Sequence, residues 1–196
     1  MANLQEDKDV REYIIKVAMN EFVRFGFKKT TMNDISRATN KARSSLYYYF
    51  SNKEEIFEAI VRKETQILTE TISKAVGKER TAQGKLRSYI YVRMRFFQLK
   101  GHLYGRGINQ YWENIDFIDK LRQDFDKQEF EMIKEILREG VKNGSFTIKE
   151  TEATARSIAV AIKGLETYWL KEKDIKRSEK ILDNLLEMFF KGLDKH

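Results

Sequence analysis

Apolar residues recur at three- and four-residue spacing along almost the whole chain, the pattern of amphipathic helices. Ile14, Val17, Ala18, Phe22 and Phe25 make one stripe over residues 10–25, and Gly26 ends it as a C-cap would. Thr31 then offers a capping hydroxyl, with Asp34 three residues on, and Ile35 and Ala38 share a face. Thr39-Asn40-Lys41 breaks that helix, with Asn40 suited to a left-handed pivot. Residues 42–50 form the next helix, with Leu46 and Phe50 on its buried side. Ser51 and Glu54 have the spacing of a capping box for a helix over 53–75, which carries Ile56, Phe57, Ile60, Ile67, Leu68 and Ile72.

Beyond residue 75 the segment 77–84, bracketed by glycines, reads as a linker. Leu86, Ile90, Met94 and Phe97 mark a further helix. The glycine-rich run 101–107 interrupts it, and a short aromatic segment ends at Trp112. Residues 116–141 form a long helix through Leu121, Phe125, Phe130, Ile133 and Leu137, closed by Asn143 and Gly144. Residues 151–171 and 178–193 supply two more helices. The first carries small residues on several faces. The second has an apolar face too wide for one neighbour. Together they read as half of a four-helix dimer interface, through Ile158, Ile162, Leu182, Leu185, Leu186 and Phe189. A monomer core is the competing reading of the same residues.

Two short helices joined by a tight turn describe a helix-turn-helix, whose second helix can enter the DNA major groove. Charge agrees with that reading. Between residues 28 and 53, six basic residues face one acid, giving +5 of the chain's formal +7. Attraction to phosphate supplies most sequence-independent DNA affinity, so a DNA reader concentrates charge in this way. The N-terminal end of the second helix approaches the bases most closely, which singles out Lys41, Arg43, Ser44 and Ser45. Arg43 suits a bidentate contact to guanine. Tyr47 and Tyr48 lie one turn later and are expected to face DNA, while Tyr49 packs on the first helix.

Residues 10–57 resemble the DNA-binding domain of TetR-type transcriptional regulators. Ile14, Ala18, Phe22-x3-Gly26, Thr30-Thr31, Ile35, Leu46-Tyr47-x2-Phe50 and Lys53-Glu54-x-Ile56 carry the likeness, over roughly a quarter of the chain. Lys41 and Ala42 stand where that family commonly has a small hydrophobe and Ser or Thr, and Ser44 replaces a common glycine. The resemblance implies phosphate contacts by Thr31, Tyr47 and Lys53, with Thr30 in the same DNA-contacting set. It implies a homodimer paired through the last two helices, and a C-terminal domain that binds a small effector. Arg93, Met94, Phe97, Trp112, Phe130 and Trp169 are the candidate pocket residues, Arg93 as an anion anchor. Their chemistry suggests a hydrophobic ligand.

Composition narrows the classes. Of 196 residues, 41% are hydrophobic and 34% charged, which suits a globular protein with an apolar core. Proline is absent, which removes the strongest helix breaker. Cysteine is absent, which excludes disulfides, thiol catalysis and thiolate zinc sites. No apolar run is long enough to span a membrane, and the acidic N-terminus does not suit a signal peptide, so a cytoplasmic location is expected. Neither His102 nor His196 has a partner at fixed spacing, and the glycine run lacks the Lys-Ser/Thr of a phosphate loop. No catalytic residue, metal site or cofactor is expected.

The sequence thus predicts an all-α protein. A helix-turn-helix DNA-binding domain occupies residues 1–56, and a helical-bundle domain for ligand binding and dimerisation occupies 57–196. The expected function is a ligand-responsive repressor that binds a near-palindromic double-stranded operator as a homodimer. A small-molecule-binding helical protein that no longer reads specific DNA is the alternative, kept open by Lys41, Ala42 and Ser44.

Overall fold

The computed structural model describes residues 2–103, 115–172 and 174–193. Among these, every regular element is a helix: α1 (Ala2–Phe25), α2 (Met32–Thr39), α3 (Arg43–Tyr49), α4 (Lys53–Val76), α5 (Ala82–Leu103), α6 (Ile115–Lys142), α7 (Thr151–Lys171) and α8 (Ile175–Leu193). The chain divides into two compact units. One comprises residues 1–65 with 106–122, the other 66–105 with 123–196. The helices α4 and α6 each run without a break through a change of unit. No helix among the described residues is long and apolar enough to cross a membrane.

In the first unit the expected apolar stripe closes a small core. Ile14, Ala18 and Phe22 of α1, Ile35 of α2, Leu46 and Phe50 around α3, and Ile56 and Ile60 of α4 are all buried together. Two details differ from the sequence pattern. Phe25 is 47% exposed, with Arg24 lying over its ring. Gly26, at φ 99°, turns the chain so that Phe27 takes the inner place, packing on Phe22 and Phe57 at centroid distances of 5.3 and 4.8 Å. In α2 the buried positions are Met32, Ile35 and Thr39, and Ala38 faces solvent. Thr39 can be buried because its hydroxyl donates to the Ile35 carbonyl at 2.9 Å.

In the second unit α5 packs along α7 and also meets α8. Leu86, Tyr89, Ile90, Met94 and Phe97 of α5 are buried, as are Ala155, Ile158, Ile162 and Trp169 of α7. The linker is shorter than the glycines suggested. Thr81 caps α5 by accepting from the Gly84 amide at 3.0 Å, so Gly84 lies inside the first turn. At its other end α5 passes through Gly101 to Leu103, and the rest of the glycine run lies outside the described residues. The aromatic segment ending at Trp112 lies outside the described residues.

After α6 the chain turns at Gly144, which takes the left-handed conformation (φ 75°). That turn brings Phe146 back onto Gly140 of α6, where the Phe146 amide donates to the Gly140 carbonyl at 3.0 Å. A Cβ on Gly140 would stand 2.0 Å from the Phe146 ring. Gly140→Ala is therefore expected to destabilise the protein by about 1–3 kcal/mol, despite alanine's better helix propensity. A denaturant midpoint unchanged or raised in that variant would contradict this packing.

Candidate functional site

The segment from Thr31 to Glu55 is held by a series of local polar contacts. Thr31 caps α2: its hydroxyl accepts from the Asp34 amide at 3.2 Å, while its own amide donates to the Asp34 carboxylate at 2.9 Å. The Thr31 hydroxyl also donates to the Asp34 carboxylate at 2.6 Å, and that bond, followed by the one from the Thr31 amide, holds the Asp34 carboxyl below the usual carboxylate range, with a lesser contribution from Arg37. The contribution to α2 is thus present above the unfolded carboxyl's pKa and is lost as pH falls through the depressed value.

The turn is closed from both sides. Asn40 sits at φ 51° and ψ 35°, the left-handed pivot the sequence suggested, and its amide donates back to Arg37 and Ser36. The Lys41 amide donates to the Ser36 carbonyl at 3.2 Å, and the Ser36 hydroxyl donates to the Lys41 carbonyl at 2.7 Å. Past the turn, Ala42 precedes α3 and offers no side-chain cap. Leu46 is wholly buried, which turns Ser44, Tyr47 and Tyr48 outward; Arg43 is exposed at the first position of α3, and Lys41 and Ser45 are half-buried. Tyr48 is 74% exposed and Tyr47 40%. The Arg43 guanidinium lies over the Tyr47 ring, 5.4 Å from its centroid. Tyr49 turns inward, and its hydroxyl donates to Asp7 of α1 at 2.9 Å. Burial and the Asp7 carboxylate push the Tyr49 phenol up from its ordinary value.

Three expectations change here. Thr30 is 1% exposed, and its hydroxyl donates to the Gly26 carbonyl at 2.7 Å, so its side chain closes the α1–α2 turn rather than reaching outward. Lys53 was expected on phosphate. Its ammonium instead donates to the carbonyls of Phe27, Lys28 and Thr30 at 2.7, 3.2 and 3.1 Å, and it rests over the Phe27 ring. An ammonium has three donors, and all three are taken. The cap of α4 is also displaced by one residue. Asn52 accepts from the Glu55 amide at 2.8 Å, and Glu55 reaches back to the Ser51 amide at 2.7 Å. Asn52-x2-Glu55 was legible beside Ser51-x2-Glu54.

This geometry can be set against known proteins. Residues 14–60 match the family model described as bacterial regulatory proteins, tetR family. Residues 78–195 match the model for the C-terminal region of QacR-like proteins. The chain belongs to the TetR family. A curated relative from this family is the HTH-type transcriptional regulator QacR of Staphylococcus aureus. It is 24% identical over 190 residues, covering 95% of this chain and all of that protein. The icaADBC negative regulator IcaR of Staphylococcus epidermidis is 40% identical over 52 residues, 26% of this chain and 28% of its own. Among solved structures, a transcriptional regulator from Cytophaga hutchinsonii superposes with TM-score 0.73 at 24% identity, over 94% of this chain and 98% of its own. As a TetR-family member the chain is a DNA-binding transcription regulator, not an enzyme.

The second unit of this TetR-family chain revises the pocket and interface expectations. Arg93 is 1% exposed and ion-paired with both Glu129 of α6 and Glu166 of α7. Tyr89 donates to Glu129 at 2.9 Å. Burial alone would lower the Arg93 pKa, but the two carboxylates outweigh it and hold the guanidinium charged. Burial and Glu129 push the Tyr89 phenol well above its ordinary value. Two protein carboxylates already occupy the guanidinium, so Arg93 is not an open anchor for an anion. Met94, Phe97 and Trp169 are buried, and Phe97 lies under Arg93 at 5.3 Å. Phe130 is half-buried, with Lys134 and Arg156 over its ring at 5.0 and 4.9 Å. Trp112 lies outside the described residues.

Of the six residues expected between protomers, four turn into their own chain. Ile158, Ile162, Leu182 and Leu186 are each 2–3% exposed. The outward faces of α7 and α8 carry Val160 (67% exposed), Tyr168, Leu185 (39%) and Met188 (72%), with Phe189 half-buried.

The clamp at Lys53 makes a specific prediction. Lys53→Met keeps the stem over Phe27 but removes three charge-assisted bonds, and is expected to cost about 1–2 kcal/mol in denaturant unfolding. Wild-type stability in that variant would return Lys53 to the free surface.

Proposed function

We propose that this TetR-family regulator is a homodimeric repressor of a near-palindromic operator, released by a small hydrophobic effector. One observation carries the DNA half of that reading. Burial of Leu46 leaves Ser44, Tyr47 and Tyr48 on the open face of α3, with Arg43 exposed at its first position and Lys41 at the turn. Arg43 reads a base, in bidentate contact with guanine. Ser44, Ser45 and Lys41 lie near the groove floor, and Tyr47, Tyr48 and Thr31 contact phosphate. Two copies place two such helices in successive major grooves, about 34–36 Å apart. The action is in the cytoplasm, where that DNA lies.

The dimer reading rests on the outward faces of α7 and α8. Val160 and Tyr168 on α7, with Leu185, Met188 and Phe189 on α8, leave an apolar strip without cover in one chain. A Cβ at Gly164, on the same side of α7, would meet nothing within 4 Å. Packing within one protomer therefore does not require a glycine there. Close approach of a second α7 gives it a role. The effector reading is supported by the buried layer of Met94, Phe97 and Trp169 and by the match to a QacR-like C-terminal region. The effector acts through α4, the helix that begins in the first unit and ends in the second. It shifts DNA binding only by its difference in affinity for the two states.

Two outcomes follow. With an operator selected from a random pool, Arg43→Ala is expected to lose about 1–3 kcal/mol of discrimination at one base pair, leaving sequence-independent binding nearly intact. Affinity that does not fall as salt rises, in the wild type, would point to the alternative of a helical binder that no longer reads DNA. Separately, Leu185→Glu with Met188→Glu should convert the dimer to a folded monomer, measured by analytical ultracentrifugation alongside circular dichroism. A variant that still sediments as a dimer would move the interface elsewhere.

A further inference from the structure

The apolar stripe of the sequence covers only residues 10–25, whereas α1 is helical from Ala2. Its early part lies against the DNA-reading segment. Gln5, Glu6, Asp9, Val10 and Tyr13 of α1 line one side of a concavity of about 760 Å³, whose other side is Thr39, Asn40 and Lys41. Glu6 and Asp9 are exposed. Asp7, between them, is fixed by the hydrogen bond from Tyr49 of α3. The nearby basic side chains only partly offset these acids. Lys8 is exposed, whereas Arg11 is placed over the Phe50 ring at 4.7 Å and Lys63 is paired with Glu12. An acidic turn thus stands across a gap from Lys41, on the element where the chain concentrates its positive charge.

We propose that this turn, through Glu6 and Asp9, is an electrostatic brake on sequence-independent DNA binding. The proposal rests on the reading of α3 as the DNA-contacting helix. Phosphates drawn to Lys41 face two exposed carboxylates lining the same concavity, and screening over a Debye length of about 8 Å near physiological salt leaves part of that repulsion in place. Repulsion there opposes the sequence-independent backbone component of binding and leaves the base contacts untouched. Asp7 is the positioning residue of this arrangement, since its bond to Tyr49 holds the acidic turn beside α3.

The test uses the 196-residue chain and a random-sequence duplex between about 50 and 200 mM salt. Glu6→Gln with Asp9→Asn is compared with Glu135→Gln with Glu152→Gln, two exposed acids of the second unit. Both pairs change the net charge equally. The first pair is expected to tighten binding roughly threefold or more at low salt and to steepen its decline with salt. The second pair is expected to change it by much less. Equal tightening by both pairs, or none by the first, overturns the brake. A wild-type protein that is folded and dimeric yet binds no duplex even at low salt overturns the DNA-contacting reading itself, which separates the two failures.

Discussion

The burial of Leu46 beneath α3 is the constraint on which the rest of the DNA-binding unit depends. A helix of seven residues does not hold itself together in water. It exists here because Leu46 and Phe50 enter a core already formed by Ile14, Ala18, Phe22 and Ile35. Each large apolar side chain placed there contributes roughly 1.5–3 kcal/mol. Fixing Leu46 inward also fixes what points outward. Ser44 precedes it by two positions, and Tyr47 and Tyr48 follow it by one and two. On a helix those positions lie away from the buried residue. Arg43, three positions before Leu46, lies nearer its side and is exposed because it opens the helix.

Burial decides which face is out but not the angle at which α3 is presented. Polar contacts settle that. Asn40 turns the chain without strain that another residue would incur, and Ser36 ties the turn from the α2 side. Behind it, Lys53 joins the start of α4 to the loop that feeds α2, and Thr30 closes the same loop by binding Gly26. A helix that reads bases must be held to fractions of an ångström by its supports. Two residues assigned by family likeness to DNA contact, Thr30 and Lys53, belong to those supports in the described fold.

Much of this was legible in the chain. The ends of α2, the pivot at Asn40, the inward Tyr49 and the span of α7 follow from capping chemistry and spacing. What was not legible has a common cause. Periodicity gives the width of an apolar stripe but not which edge faces inward. Ala38 and Thr39 were thus exchanged, and Phe25 gave its place to Phe27 once Gly26 turned the chain. The helices α7 and α8 have two apolar faces each. The larger branched residues, Ile158, Ile162, Leu182 and Leu186, fill the protomer's own core, and the residues left outside are less conspicuous in the sequence. Long cationic side chains are harder still. Arg93 and Lys53 look like free charges until distant acids or carbonyls are placed around them, and those partners lie 23 to 73 residues away in sequence.

The two cations illustrate opposite uses of charge. Arg93 is withdrawn from water together with Glu129 and Glu166, which costs desolvation that the pairing only partly offsets. Such a cluster adds little net stability. It does, however, penalise any arrangement of α5, α6 and α7 that separates its members, because a lone buried charge is far more costly than a paired one. Its value is in selecting one packing of three long amphipathic helices whose apolar stripes alone would accept several. Around α3 the opposite holds. Arg43 stays in water, steadied by Tyr47, whose ring lies beneath it and whose hydroxyl accepts from it at 3.5 Å, so its charge remains available to a partner that is itself an anion. The same residue type defines the fold in one unit and is left free in the other. What separates the two cases is whether carboxylates from neighbouring helices converge on the guanidinium.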